Sequence, residues 1–394
     1  MSALVASGLV CLAACGSGRT PFVDSPSVVT VVGVPAERGS LGRGTDVWEV
    51  AVCAVPPDAT SDEFVPDSVR LDRSPADIAE LLGPVSDYFD RWSQGVYVPT
   101  FVPGAAVSID SSQGSDDCVA SAIAASNETA NGVIVVADAP LTPDGPGGWG
   151  RVGETCEQPC PVAASGRAVF VGAADFLPDW GDAPPLDLIE HELGHAIGWA
   201  HSSTLEGSGA GHDTYDSPYD VMSASDAPRS TNAERRHAPG ALAVNMLASG
   251  WLQDDEVLEI AWAGRPVGEW TDAVRVASTD SLRDGELARL MVLDLGGGGF
   301  ITIELLADRG DNDHLTSPGV IVHELATDGS SWNERPLTIL RGDSGRLITA
   351  DGVTSVFSDS LLSVKVGAIV ELEDGRIVAD VRVRRDEPTQ IRKS

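Results

Sequence analysis

Basic residues are scarce in this sequence. It contains 26 Lys and Arg residues against 59 Asp and Glu residues, and its formal net charge at pH 7 is −33. A surface of that sign repels the phosphates of nucleic acids and anionic membrane surfaces, so we exclude nucleic acid as a partner. Because 42% of the residues are apolar, we expect a globular chain whose acidic residues cover the surface.

The N-terminal apolar run, residues 4–14, is too short to cross a bilayer and has the length of a signal-peptide hydrophobic region. It ends in Leu-Ala-Ala-Cys-Gly at residues 12–16, which resembles the lipobox of bacterial lipoproteins. The resemblance implies cleavage before Cys15, lipid modification of that cysteine, and anchoring to the outer face of the bacterial cell membrane through the lipid alone. The alternatives are an ordinary secretory signal, which would leave the protein secreted, and a chance apolar N-terminus.

Cysteine is also rare, with six residues in the chain. Cys11 would leave with the signal peptide and Cys15 would carry lipid. The four that remain are Cys53, Cys118, Cys156 and Cys160. An even number of cysteines in an exported protein predicts two disulfides. The sequence leaves their pairing open: the last two enclose a short loop and could pair locally, in which case the first two would tie the first strand to a helix.

Histidine is concentrated in one segment. Three of the seven histidines lie in residues 191–201, which read His-Glu-Leu-Gly-His-Ala-Ile-Gly-Trp-Ala-His. On a helix, His191 and His195 project from the same face, one turn apart. Gly198 is suited to end that helix, since glycine adopts the left-handed conformation at little steric cost. The chain can then turn back and bring in His201.

This spacing predicts a catalytic zinc (Zn²⁺) site. Three histidine nitrogens, with the fourth position left to water, are typical of a catalytic zinc ion rather than a structural one. Glu192 is adjacent and is the candidate general base. One alternative is a buried helix with hydrogen-bonded histidines, and another takes the third ligand from Glu206 or Asp213. The five matching positions and the spacing of His201 argue against both.

These eleven residues, together with a methionine some twenty residues later, resemble the metzincin clan of zinc metallopeptidases. Residues 219–223, Tyr-Asp-Val-Met-Ser, are similar to the Met-turn of that clan. The resemblance implies that Met222 forms an apolar floor beneath the zinc ion. Residues 215–222 and 238–252 are most similar to gametolysin and immune-inhibitor-type secreted bacterial peptidases, whereas the pair at 201–202 is similar to the matrixins.

Two positions depart from these relatives. Ala224 stands where astacin-like members carry an additional tyrosine ligand, and Ser223 stands where the gametolysin type usually has glycine. We therefore interpret Tyr219 as a packing residue of the turn and expect only three protein ligands on the metal.

Strand and helix patterns alternate in the first part of the chain. We predict strands at 47–55, 96–102 (extending towards 109), 132–137 and 167–172, and helices at 76–92 and 116–129. This alternation predicts an α/β domain with a mixed, twisted sheet and an active-site helix. The metzincin resemblance implies an edge strand near 149–155, to which an extended peptide substrate could add as a further strand.

Short apolar runs separated by turns follow Trp251, and they predict an antiparallel, sandwich-like all-β domain. They lie at 257–262, 273–277, 288–295, 300–306, 319–325, 337–340, 355–357, 363–372 and 377–383. We therefore predict a signal peptide (1–15), a tether (16–44), a metzincin-like zinc peptidase domain (45–253) and a β-rich C-terminal domain (254–394). The acidic cluster at 308–313 has two interpretations, a Ca²⁺ site or a solvated turn.

The function predicted from these features is that of a zinc-dependent metalloendopeptidase acting on extracellular or cell-surface proteins. One alternative is a surface-anchored binding or adhesive lipoprotein with a degenerate peptidase fold. The intact Glu192 argues against it, because a degenerate site has no reason to keep the base. Another is amide hydrolysis of a non-protein substrate.

Overall fold

The structure is a computed structural model of the chain. It describes residues 41–59, 70–139, 141, 147–154, 160–172, 186–204, 217–223, 238–262, 264–283, 285–296, 299–326, 337–339, 347–356 and 362–387. The helices in these residues are α1 (Pro75–Leu81), α2 (Gly83–Ser93), α3 (Ser115–Ala125), α4 (Val162–Ser165), α5 (Leu186–Ala196) and α6 (Ala243–Ala248).

The strands form three sheets. In chain order they are β1 (Val47–Ala54), β2 (Thr100–Ser108), β3 (Gly132–Ala137), β4 (Gly148–Arg151), β5 (Ala168–Val171), β6 (Ser202–Thr204), β7 (Val257–Ala261), β8 (Val274–Ala277), β9 (Leu290–Gly296), β10 (Gly299–Leu306), β11 (Gly319–Ala326), β12 (Leu337–Ile339), β13 (Val353–Val356), β14 (Leu362–Glu371) and β15 (Ile377–Arg385). The predicted mixed α/β part followed by a β-rich part is confirmed at this level.

The first sheet has the strand order β2-β1-β3-β5-β4. Its first four strands are parallel, and β4 pairs antiparallel with β5 at the edge. The strands β3 and β5 are buried throughout, as expected for apolar runs covered on both faces of a parallel sheet. An edge strand was expected near 149–155. The strand occupies Gly148–Arg151, and the end of the expected range lies outside the described residues.

The helix predicted at 76–92 is two helices. α1 begins with a capping box in which Ser74 and Asp77 exchange hydrogen bonds, and it ends at Leu81. α2 follows directly, with Pro84 in its first turn. Proline has no N–H to donate and its ring clashes with the carbonyl four residues earlier, which kinks or breaks a helix, and here the helix breaks. The prediction of a single helix was wrong for this reason.

Two other elements differ in length from the prediction. β2 begins at Thr100 rather than at 96, after Pro99, which has no N–H for a sheet ladder. α3 ends at Ala125 rather than at 129, because Ser126 has an extended backbone and its hydroxyl donates to the Ile123 carbonyl.

All nine apolar runs of the C-terminal part form strands, β7 to β15. The six-stranded sheet has the order β6-β12-β11-β10-β9-β7, and the four-stranded sheet has the order β13-β14-β15-β8. Alternate residues of β10, such as Ile301 and Ile303, pack against Val364 and Val381 of the other sheet, as in a β-sandwich. The expectation of purely antiparallel pairing was wrong, because β7 pairs parallel with β9 and β6 pairs parallel with β12.

The six-stranded sheet lies between the four-stranded sheet and the α/β part of the chain. The other face of β10, including Phe300 and Leu306, packs into the core of the α/β part. Strand β6 directly follows His201 in the chain and pairs with β12. The metal-site segment and the C-terminal part are therefore joined by an apolar core and by backbone hydrogen bonds.

A disulfide joins Cys53 to Cys118, with a Cα–Cα distance of 5.8 Å. The predicted link between the first strand and a helix is confirmed. Cys160 is also disulfide-bonded, whereas Cys156 and Cys15 lie outside the described residues. No helix in the described ranges is long and apolar enough to span a membrane.

Candidate metal centre

Helix α5 carries the first two histidines and ends just before Gly198, as the sequence predicts. Gly198 has φ +97°. The N–H of Gly198 donates to the His195 carbonyl and the N–H of Trp199 to the Gly194 carbonyl, which together form a Schellman motif. This turn reverses the chain and returns His201 to the side of α5 that bears the other two histidines.

The three histidines converge on one point. The Nε2 atom of His195 lies 3.1 Å from that of His191 and 2.8 Å from that of His201, and the remaining Nε2 pair is 3.2 Å apart. Tetrahedral zinc with Zn–N bonds of about 2.0–2.1 Å requires ligand nitrogens about 3.3–3.4 Å apart. The three nitrogens lie closer together than this by about 0.1–0.6 Å, and they form a donor set that could hold one metal ion.

Hydrogen bonds fix how two of the rings present their nitrogens. His191 Nδ1 donates to the Val221 carbonyl at 2.8 Å, and His195 Nδ1 donates to the Trp199 carbonyl at 2.9 Å. A ring that donates through Nδ1 keeps the lone pair of Nε2 for a metal, and such outer contacts orient metal-binding imidazoles in general. These rings are held in the form that binds a metal.

Burial keeps two of the three imidazoles neutral. It lowers the pKa of His195 to about 4, against a small opposing effect of the hydrogen bond to Trp199. Burial, followed by the proximity of His195 and His191, also holds the pKa of His201 well below its ordinary value. Unprotonated imidazoles bind metal ions without first releasing a proton.

Glu192 is fully buried and lies beneath the edge strand β4. A Cβ atom on Gly148 would lie 3.3 Å from Glu192 Oε1, and one on Gly150 would lie 1.9 Å from the Glu192 backbone oxygen. The strand and the helix can approach this closely only because both positions are glycine. The candidate base therefore lies against the edge strand, one residue after His191 in α5.

Met222 is fully buried and packs against α5. A Cβ atom on Gly194, which lies between the two helical histidines in sequence, would be 2.5 Å from Met222 Sδ. Tyr219 is partly buried and packs against the same apolar core. The structure thus brings Met222 next to the helix that carries the first two candidate ligands.

The sequence did not single out Arg167 or Asp220, which support the site. Arg167 is buried, pairs with Asp46 at 2.6 Å, and donates to the carbonyl of Ala196 at the end of α5. Burial raises the pKa of Asp220 to about 7, and Asn245 donates to both of its oxygens at 3.3 Å. Asp220 lies in the segment 219–223, which was identified because of Met222. Nothing in the sequence predicts that Asp220 is buried.

The acidic cluster at 308–313 joins the two parts of the chain. Asp311 accepts hydrogen bonds from Arg91 at 2.7 Å and from Trp92 Nε1 at 2.7 Å, and Asn312 accepts one from Gly240 N. Within the described residues, the histidine triad is the one group of three or more His, Cys, Asp or Glu side chains arranged to hold a metal ion. The calcium interpretation of this cluster gains no support.

No protein-family model and no curated protein matches the chain.

Proposed function

We propose that this protein is a zinc-dependent metalloendopeptidase of the metzincin type. The observation that carries the proposal is the convergence of three Nε2 atoms within 3.2 Å of one another, beside a buried glutamate. Three neutral nitrogen donors with an adjacent carboxylate are the groups that zinc-dependent hydrolysis of an amide requires.

The surroundings of the triad support the same class. The first sheet has one antiparallel edge strand, β4, which lies directly against the helix of the first two ligands. Met222 packs against that helix from the turn that also accepts the hydrogen bond of His191. Both features are expected from the metzincin resemblance of the sequence.

In the proposed hydrolysis, a bound metal ion and the residues of the chain would have separate roles. A bound zinc ion would supply Lewis acidity towards a water molecule and the scissile carbonyl. Glu192 would take the proton from that water and transfer it to the leaving amine. The outer edge of β4, the last strand of the described sheet, would hold an extended substrate by strand addition, with the scissile bond beside the triad.

Metal analysis and one pair of variants test the proposal. The purified protein should carry about one zinc ion per chain and should cleave members of a diverse peptide library, with the cleavage lost on chelation. Glu192→Ala should retain zinc and fold while cleavage falls by at least about 100-fold. The exposed Glu80 provides the control, since Glu80→Ala should leave cleavage unchanged. Wild-type cleavage by Glu192→Ala would exclude this mechanism.

We also propose that the protein is exported and lipid-modified at Cys15. The disulfide between Cys53 and Cys118 supports export, because such bonds persist in oxidising compartments. In a bacterial host, Cys15→Ser should release the protein from the membrane fraction or block its maturation. Mass spectrometry that finds an unmodified Cys15 in the mature chain would contradict the lipid anchor.

A further inference from the structure

The turn at residues 217–223 contacts His191 and the residue that follows His201. Its Val221 carbonyl accepts the hydrogen bond of His191 Nδ1 at 2.8 Å. Its Met222 carbonyl accepts a hydrogen bond from the N–H of Ser202, the residue after His201, at 3.0 Å. The position of this turn therefore sets the orientation of one candidate ligand and the path of the chain at another.

Asp220 is the residue that anchors the turn. It is fully buried, and its carboxylate accepts hydrogen bonds from the backbone N–H groups of Met222 and Leu242 and from the side chain of Asn245. The Ser202 hydroxyl also lies beside this carboxylate. Of the first three donors, one belongs to the turn, and the other two lie at the start of helix α6. Because a buried polar group without partners is costly, this set of bonds fixes the turn relative to the helix.

Helix α6 is in turn fixed to the C-terminal part. Glu304 of β10 accepts a hydrogen bond from the N–H of Ala243 at 2.6 Å, at an end of the helix where N–H groups lack intrahelical partners. The contacts run from the six-stranded sheet through α6 and Asp220 to the turn, and from the turn to His191.

We propose that Asp220 is a positioning residue of the metal centre, which acts through the Val221 carbonyl on His191. The inference rests on the proposed metal site but not on peptidase activity. Asp220 is not one of the three candidate ligands. Its loss leaves the N–H groups of Met222 and Leu242 without their acceptor, and the turn relaxes away from the imidazole.

Metal affinity is the measurement that tests this inference. Zinc Kd would be determined by competition with a chromophoric chelator, and folding by circular dichroism. Removal of outer contacts to a metal ligand typically weakens binding by about 10- to 100-fold, and we expect a rise of zinc Kd in that range for Asp220→Ala. Asn245→Ala should give a smaller rise, and Asp220→Asn, which keeps one acceptor oxygen, an intermediate one.

Thr302→Val is the matched control. Thr302 is fully buried on β10, two residues before Glu304, and is not part of the contacts described. Its zinc Kd should match the wild-type value. The cobalt(II)-substituted Asp220 variants should also show a shifted visible absorption spectrum, whereas Thr302→Val should not.

A folded Asp220→Ala protein with wild-type zinc Kd and an unchanged cobalt spectrum would overturn the inference. If that variant does not fold, folded Asp220→Asn and Asn245→Ala proteins decide the matter, and wild-type affinity in both would overturn it equally. Failure of the wild-type protein to cleave peptides would count against the proposed function alone, because zinc and cobalt binding would still be measurable.

Discussion

Replacing Gly150 with alanine adds one methyl group at the contact between β4 and α5. The new Cβ atom would lie 1.9 Å from the Glu192 backbone oxygen and 2.9 Å from His195 Cβ, where ordinary contacts begin near 3.4 Å. No side-chain rotation relieves a clash with a backbone oxygen, so the strand and the helix must separate by about 1.5 Å. Overpacking typically costs about 1–3 kcal/mol, and we expect the upper end of that range.

The same displacement should lower zinc affinity more than it lowers the free energy of unfolding. Ligand distances in metal sites hold to within about 0.2 Å, so a shift of this size at His195 should weaken zinc binding markedly. Urea unfolding and chelator competition measure the two effects. Gly264→Ala is the control, because its Cβ meets nothing within 4 Å. If Gly150→Ala matched wild type in both stability and zinc affinity, the proposed packing of β4 on α5 would be wrong.

Three further predictions concern other parts of the molecule. Met222→Leu nearly conserves volume, so it should cost less than about 1.5 kcal/mol in urea unfolding and retain zinc; loss of zinc would contradict its packing role. Replacing Cys53 and Cys118 together with alanine opens a loop with a sequence separation of 65. The stability lost should be about 4 kcal/mol, and an unchanged unfolding midpoint would refute this. Burial raises the pKa of Glu304 from 4.5 to about 8, so its neutral form contributes stability below pH 4.5 that is lost as the pH rises towards 8. Glu304→Gln should reduce this decline in urea midpoints between pH 5 and 8, and an identical pH slope in both proteins would contradict it.

Local patterns predicted the elements that depend on local chemistry. The apolar run of β3, the Gly198 helix end and the spacing of the histidine triad all follow from residues close together in sequence, and the structure contains each of them. The break before Pro84 was equally local, and it was missed because the apolar periodicity continues across it.

Features that depend on distant partners were not predictable. The burial of Asp220 requires Asn245 and the start of α6, and the pairing of β6 with β12 joins residues far apart in the chain. A short polar segment such as Ser202–Thr204 has no strand pattern of its own, because its partner strand determines it. The need for glycine at 148 and 150 likewise arises only when α5 lies against β4.

The pairing of β6 with β12 has a consequence for the order of events during synthesis. Ser202 directly follows the third histidine, and its partner Leu337 emerges from the ribosome about 135 residues later. Contacts between such distant segments form slowly, because a long loop must close before they contribute. We therefore expect the nascent chain to acquire a competent metal centre only after most of its length has been translated.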